Sequence, residues 1–203
     1  MLPKVTVIIP YSKDRGYLDQ AVDSILAQNF DGHIEVLLSQ SPGNVSYNIN
    51  RAIKQATGEY IKYLCEDDML TPNSIADSVN AIQGYDFIHG NAINFFPSGK
   101  KIQYVPPKKN PSLQDMIEHN QIHGGTLMYR KDVFDRIGLF DESLDCAEEY
   151  DFNMRCLQNG MTLGYSPRNL YLYRRHENQK SLGQEVNQII RREKINNIIN
   201  KYK

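Results

Sequence analysis

Glu66, Asp67 and Asp68 follow the apolar run Tyr60-Ile61-Lys62-Tyr63-Leu64, with only Cys65 between. Such a run reads as a buried strand of a parallel sheet. Three carboxylates therefore gather beyond the carboxyl end of a strand, where open α/β sheets bind ligands. Two carboxylates ~5 Å apart repel by roughly 3 kcal/mol at an effective dielectric of 20. Solvent, protonation or a cation must offset that cost. One reading is a solvated acidic turn in which Asp68 favours the N-terminus of the next helix. The other is a site for Mg2+ or Mn2+, which take one or two carboxylates and complete their shells with water and phosphate oxygens. The segment by itself leaves both open.

A second carboxylate stands out by helix phase. Successive helical residues advance about 100°. In the helix expected from about Ala147 to Asn159, Tyr150, Phe152, Met154, Cys156 and Leu157 share a broad arc centred near Glu149. Glu148, Asp151, Arg155 and Gln158 fall opposite, with Asp151 and Arg155 spaced as an i, i+4 ion pair on a solvated face. Glu149 is thus expected among apolar neighbours, where desolvation raises a carboxylate pKa and suits it to accept a proton. Glu148 and Asp151 need only the ordinary preference for acids in a first helical turn.

The elements that position these groups come from hydrophobic periodicity. Val5-Thr6-Val7-Ile8-Ile9-Pro10 reads as a buried strand, and Leu18, Ala21, Val22, Ile25 and Leu26 as one face of a helix. A strand at 34–38 and a helix marked by Ile49, Ala52, Ile53 and Ala56, stopped by Gly58, follow. After the acidic cluster, Thr71 as N-cap and Pro72 at the first position open a helix through Ile75, Val79 and Ile82. Three strand–helix alternations argue for an α/β sandwich with right-handed crossovers. Beyond it, strands are expected at 86–89, 92–96, 102–105 and 126–129. Helices are expected at 113–117, 132–137 and 147–159. A strand pair then leads to a helix striped with Val186, Ile189, Ile190, Ile195, Ile198 and Ile199.

With 203 residues, 40% hydrophobic and 23% charged, the chain has the makings of one globular domain and not of a disordered or fibrous protein. A net charge of −1 gives no sign of a nucleic-acid or anionic-membrane partner. No apolar run approaches the ~18 residues of a membrane span, and the start lacks a signal-peptide pattern. Three cysteines, Cys65, Cys146 and Cys156, form neither a disulfide framework nor a zinc pattern, so a cytoplasmic setting is expected.

Several segments recur together in a known order. They are the opening strand through Tyr11-Ser12, the helix ending Ser24-Ile25-Leu26-Ala27-Gln28, and Gly58-Glu59-Tyr60-Ile61 running into Asp67-Asp68 with Pro72. Met128-Tyr129-Arg130, Gly138-Leu139-Phe140-Asp141-Glu142, Ala147 through Arg155, and Tyr173-Arg174-Arg175-His176 with Ser181 follow. This ordered set, covering nearly the whole chain, resembles the family 2 glycosyltransferases of GT-A fold. The resemblance implies a single GT-A domain over 1–203, with a Rossmann-like mixed central sheet flanked by helices. Residues 1–96 would form the nucleotide-sugar-binding half, 97–180 the acceptor and catalytic half, and 181–203 a C-terminal helix.

It also implies transfer, with inversion, of a sugar from a nucleotide-diphosphate donor, a UDP-sugar foremost, to a hydroxyl of a glycan or glycoconjugate in polysaccharide biosynthesis. Asp67 and Asp68 would hold Mn2+ or Mg2+ against the diphosphate, and His176 matches a histidine that approaches the same place. Glu149 falls at the catalytic base, a Glu where relatives carry Asp. Pro10, Tyr11, Ser12, Gln40, Asn44, Asn48, Cys65 and Glu66 match the donor-binding segments. Three positions depart from the pattern: Cys65 replaces the first Asp of the cluster, Gln40 replaces an Asp that reads the base, and Ile49 replaces an arginine. Asn44, Ser46, Asn48 and Asn50 read equally as helix caps or as pocket residues. Gly124-Gly125-Thr126 reads as a close approach to the sugar or as a strand-entry turn. Two other classes remain: a catalytically silent nucleotide-sugar-binding module, and a sugar nucleotidyltransferase, whose Gly-rich basic loop is poorly matched by Tyr11 through Gly16.

Overall fold

The computed structural model describes residues 2–144, 146–176, 179 and 185–203. The first half alternates as expected: β1 (Lys4–Tyr11), α1 (Leu18–Leu26), β2 (His33–Gln40), α2 (Val45–Ile53), β3 (Tyr60–Tyr63), the short β4 (Met69–Leu70) and α3 (Ser74–Ala81). The second half adds β5 (Phe87–Phe95), β6 (Lys101–Tyr104), α4 (Leu113–Glu118), a 3-10 turn (Gly124–Thr126) and β7 (Met128–Arg130). It continues through α5 (Asp132–Ile137), α6 (Glu148–Gln158), β8 (Leu163–Arg174) and α7 (Glu185–Asn200). One mixed sheet runs β2-β1-β3-β7-β5-β8-β4, with β6 paired to β5. β1 is parallel to both β2 and β3, and β5 is parallel to β8, whereas β7 runs antiparallel to β3 and β5.

Alternation along β1 splits the core between the two faces of this sheet. Val5, Val7 and Ile9 pack with Ala21 and Ile25 of α1 and Ile75 and Val79 of α3. Ile8 faces the other cluster, with Ile49 and Ile53 of α2, Phe134 of α5, Phe152 of α6 and Ile198 of α7. Each fully buried Ile or Val contributes roughly 1.5–3 kcal/mol, so the central strands are the fixed frame of the molecule. In β3 even Lys62 is buried, its Nζ donating to the carbonyls of Thr126 and Leu127, both at 3.3 Å. Burial lowers its pKa to about 7. Among the described residues no helix is long and apolar enough to cross a membrane.

Several expectations are corrected. The strands expected at 86–89 and 92–96 are one strand, β5, because its polar middle is satisfied from outside. His89 Nε2 lies 2.6 Å from the Lys109 carbonyl, Gly90 N–H donates to Thr126 Oγ1 at 3.1 Å, and Asn91 Nδ2 donates to the Pro167 carbonyl at 3.0 Å. The strand pair near the end is the single strand β8, with register shifts against β5 at Gly90, Asn91 and Ala92. Thr71 does not cap α3. Its hydroxyl donates to the Asn169 carbonyl at 2.5 Å, and the helix begins at Ser74.

Asp151 is not on a solvated face. It is 2% exposed, because Lys201 and Tyr202 reach it from beyond α7, with the Tyr202 hydroxyl 3.0 Å from Oδ1. Its pair with Arg155 does form, at 3.1 Å. Of the stripe expected in the last helix, Ile195, Ile198 and Ile199 pack on the core whereas Ile189 and Ile190 are exposed. Residues 181–184, Ser181 among them, lie outside the described residues.

Candidate active site

The carboxyl ends of β1 and β3 and the start of α6 enclose a cleft of ≈ 330 Å³. Pro10, Tyr11 and Ser12 form one wall, Cys65 through Asp68 the floor, and Ala147, Glu148 and Glu149 the opposite wall. Arg15, Tyr173, Gln179 and Arg191 complete the rim. A second hollow, of ≈ 480 Å³ between Pro3, Phe30 and Val79, lies by the start of β1, with Asp31 its single titratable group.

The floor is held by β8. Past β3, Leu64 N–H donates to the Ile8 carbonyl at 2.9 Å, and Asp68 N–H closes a turn on the Cys65 carbonyl at 3.1 Å. The Tyr171 hydroxyl accepts from Cys65 N–H at 3.2 Å and donates to Asp68 Oδ2 at 2.8 Å. Arg174 N–H donates to Asp68 Oδ1 at 2.7 Å, and Arg174 Nε donates to the Asp67 carbonyl at 2.7 Å. Asp68 is thus enclosed. Burial and the neighbouring Asp67 charge push its pKa well above the usual carboxylate range, against those two hydrogen bonds. Burial likewise raises the Cys65 thiol, leaving it protonated.

Asp67 is the carboxylate that meets other side chains across the cleft. Its Oδ2 lies 3.1 Å from His176 Nε2 and 3.2 Å from Arg15 Nη2. Glu66 takes the same guanidinium in a two-pronged pair, Nε to Oε1 at 2.5 Å and Nη2 to Oε2 at 2.6 Å. The candidate ligand atoms of Cys65, Asp67 and Asp68 fall within 4.8 Å of one another.

On the opposite wall, α6 starts from Ala147 in the left-handed conformation, φ 59° and ψ 27°. A non-glycine residue pays roughly 1 kcal/mol for this. The kink feeds Glu149 into the cleft on the first turn. Glu149 is half-buried, and its carboxylate rests on the backbone of Gly124, where a Cβ would come within 2.8 Å of Oε1. Burial raises its pKa, opposed by its own backbone N–H and by Arg191.

At Gly125 a Cβ would stand 2.4 Å from the Tyr171 ring. The paired glycines therefore make room for two site side chains, Glu149 and Tyr171. Gly125→Ala is expected to cost about 1–3 kcal/mol through overpacking, read as a lower urea midpoint with unchanged slope.

Most of the residues singled out in the sequence meet here. Pro10, Tyr11, Ser12, Cys65, Glu66, Asp67, Asp68 and Glu149 line the cleft, and His176 touches Asp67. Gln40, Asn44 and Asn48 are not among the lining residues. Gln40 is exposed at the end of β2, with its carbonyl accepting from Arg51 at 3.2 Å. Asn44 caps α2 by accepting from Tyr47 N–H at 2.9 Å and donates to the Glu142 carbonyl at 2.7 Å. Asn48 is buried, accepting from Ser41 Oγ at 2.8 Å beside the carbonyls of Ser41 and Tyr11. Arg15 and Tyr171 carry no signal in the local sequence, because each acts on a residue far along the chain.

The sequence profile of glycosyl transferase family 2 matches residues 29–138, just over half of the chain. The chain belongs to that family. An uncharacterized glycosyltransferase of Rickettsia typhi is 28% identical over 190 residues, covering 77% of this chain and 59% of that protein. The uncharacterized glycosyltransferase EpsJ of Bacillus subtilis is 22% identical, covering 88% of this chain and 63% of that protein. The chain thus spans about three-fifths of the length of these relatives. Among solved structures, S. aureus TarS in complex with UDP-GlcNAc superposes with a TM-score of 0.68 at 20% identity, over 87% of this chain and 60% of that one. The family 2 chain therefore has the mixed α/β fold of a GT-A glycosyltransferase, in one domain.

Proposed function

We propose that this family 2 chain transfers a sugar from a nucleoside-diphosphate donor, foremost a UDP-sugar, to a hydroxyl of a glycan or glycoconjugate, with inversion and with a divalent cation. The observation that carries the reading is that Asp67 and Glu149 line one cleft, with Glu149 raised in pKa by burial. The profile match and the fold shared with a UDP-GlcNAc-bound structure support the donor class.

The donor set fits Mn2+ or Mg2+. Asp67 offers a hard carboxylate, His176 an imidazole beside it, and such ions fill their remaining positions with water and phosphate oxygens. Asp68 is the weaker candidate, since both its oxygens already accept hydrogen bonds. When bound, the cation would stabilise the charge that develops on the leaving diphosphate. Pro10, Tyr11 and Ser12 would flank the nucleotide, with Cys65 and Glu66 beside it. Gln40, Asn44 and Asn48 would shape the same wall from behind by fixing the loop between β2 and α2. Glu149 would take the proton from the acceptor hydroxyl as oxygen attacks the anomeric carbon from the face opposite the leaving group.

Thermal shift with UDP-, GDP- and dTDP-sugars, each with and without Mn2+, tests class and donor together. A ligand at 100 times its Kd adds about 2.7 kcal/mol. For a chain of this size that is roughly 5–10 °C in Tm. The expected result is such a rise with a UDP-sugar and Mn2+ together; no rise with any nucleotide sugar would overturn the proposal.

A further inference from the structure

We propose that Arg15 is the resident counter-ion of Asp67, holding that carboxylate until a divalent cation displaces it and thereby setting the metal affinity of the cleft. The inference rests on the reading of Asp67 as a metal-holding residue.

The geometry is asymmetric. Glu66 and Asp67 are fixed in the floor, with side chains 5% and 12% exposed, whereas the Arg15 side chain is 36% exposed. Arg15 belongs to the β1–α1 loop, where Ser12 through Gly16 are all exposed and Gly16 turns at φ +86°. A guanidinium is charged at any working pH and presents its donors as a rigid fork. Two prongs are committed to Glu66, and the Nη2 that serves Glu66 Oε2 also reaches Asp67 Oδ2.

The same Oδ2 faces His176 Nε2. One of the two oxygens that Asp67 offers a metal ion is therefore already held by a cation, the Arg15 guanidinium. A dication on that oxygen and a guanidinium in contact with it repel, so the Asp67 contact must open. The Glu66 pair lies one residue away and can persist, keeping the loop attached. The guanidinium thus compensates charge on the floor, and metal binding becomes an exchange of one cation for another.

This exchange has a signature that a general field effect lacks. Removing a positive charge tightens cation binding and removing a negative one weakens it, each by an amount set by its distance from the ion, and for a pure field the two effects simply add. Under displacement they are coupled: Glu66→Gln weakens binding in the presence of Arg15, which it leaves to Asp67 alone, and weakens it less once Arg15 is gone.

Mn2+ alone, without nucleotide, is titrated by electron paramagnetic resonance into wild type, Arg15→Gln, Glu66→Gln and the double variant. The expected result is Mn2+ binding at least fivefold tighter in Arg15→Gln, weaker in Glu66→Gln, and still at least threefold tighter than wild type in the double variant. The double variant removes the Glu66 carboxylate together with the guanidinium that pairs with it, so it answers even where the single Arg15 variant folds poorly. A double variant within twofold of wild type, or an Arg15→Gln variant that binds no tighter, overturns the inference while leaving Asp67 a ligand. Absence of Mn2+ binding in all four proteins overturns the metal reading of Asp67, and the inference with it.

Discussion

Glu149→Gln is expected to lower turnover by roughly 10²–10⁴-fold, the usual worth of a positioned general base. The amide keeps the shape that rests on Gly124 but cannot take a proton. Nucleotide-sugar affinity should change little, since the proposed part of Glu149 is with the acceptor hydroxyl and that of Asp67 with the cation, so the loss falls on kcat. The pH dependence supplies a second reading. A base works deprotonated, and burial raises the Glu149 pKa, so wild-type turnover should fall with decreasing pH along a limb above the ordinary carboxylate range near 4.3. That limb should vanish in the Gln variant. Stability separates this from a folding defect. A carboxyl whose folded pKa lies above its unfolded one favours the fold below the unfolded pKa and loses that contribution as pH rises through the folded value. Where it is ionised, Glu149 is therefore a cost to the fold, so Glu149→Gln should melt no lower than wild type. A variant with wild-type turnover sinks the assignment.

Much of this arrangement is legible in local pattern. Continuous apolar runs betray β1 and β3 because both faces of those strands are buried, and carboxylates following such a run must stand at the sheet edge. Helix phase puts Glu149 on one face with Phe152 and Cys156, yet Glu148 lines the cleft beside it, so phase does not by itself set Glu149 apart.

The same reasoning fails at Asp151, and the reason is distance along the chain. Lys201 and Tyr202 return from the far end of α7 to cover it, and nothing near Asp151 announces them. The asparagines before and within α2 show another limit. Asn44 and Asn48 have the chemistry to meet a nucleotide and equally the chemistry to satisfy loop carbonyls, and the fold uses their amides for the loop. Arg15 illustrates a third. A basic residue in an exposed loop is ordinary until Glu66 is seen to take both prongs of its fork. Residue type and spacing thus find the groups that do chemistry more readily than the groups that hold them in place.

Asp67→Asn is expected to abolish the dependence of donor binding on the cation. An amide oxygen is neutral, and loss even of an outer partner at a metal site costs 10–100-fold in affinity, so loss of a charged ligand should cost roughly 100-fold or more. Titration calorimetry of a UDP-sugar with and without Mn2+ reads this directly: wild type should bind more tightly with Mn2+, and the variant equally in both. Turnover should fall by about 10³-fold if the cation supplies ~4 kcal/mol to the leaving group. The floor itself should survive, because Asp67 is tied to β8 through its backbone carbonyl and Arg174 Nε, a contact the substitution leaves alone. Asp68→Asn offers the contrast. Its side chain holds Tyr171 and the Arg174 N–H, so its loss should lower Tm before it alters the cation dependence. Should Asp67→Asn retain a wild-type response to Mn2+, the ion sits elsewhere, and the proposed part of the acidic strand end in donor binding falls with it.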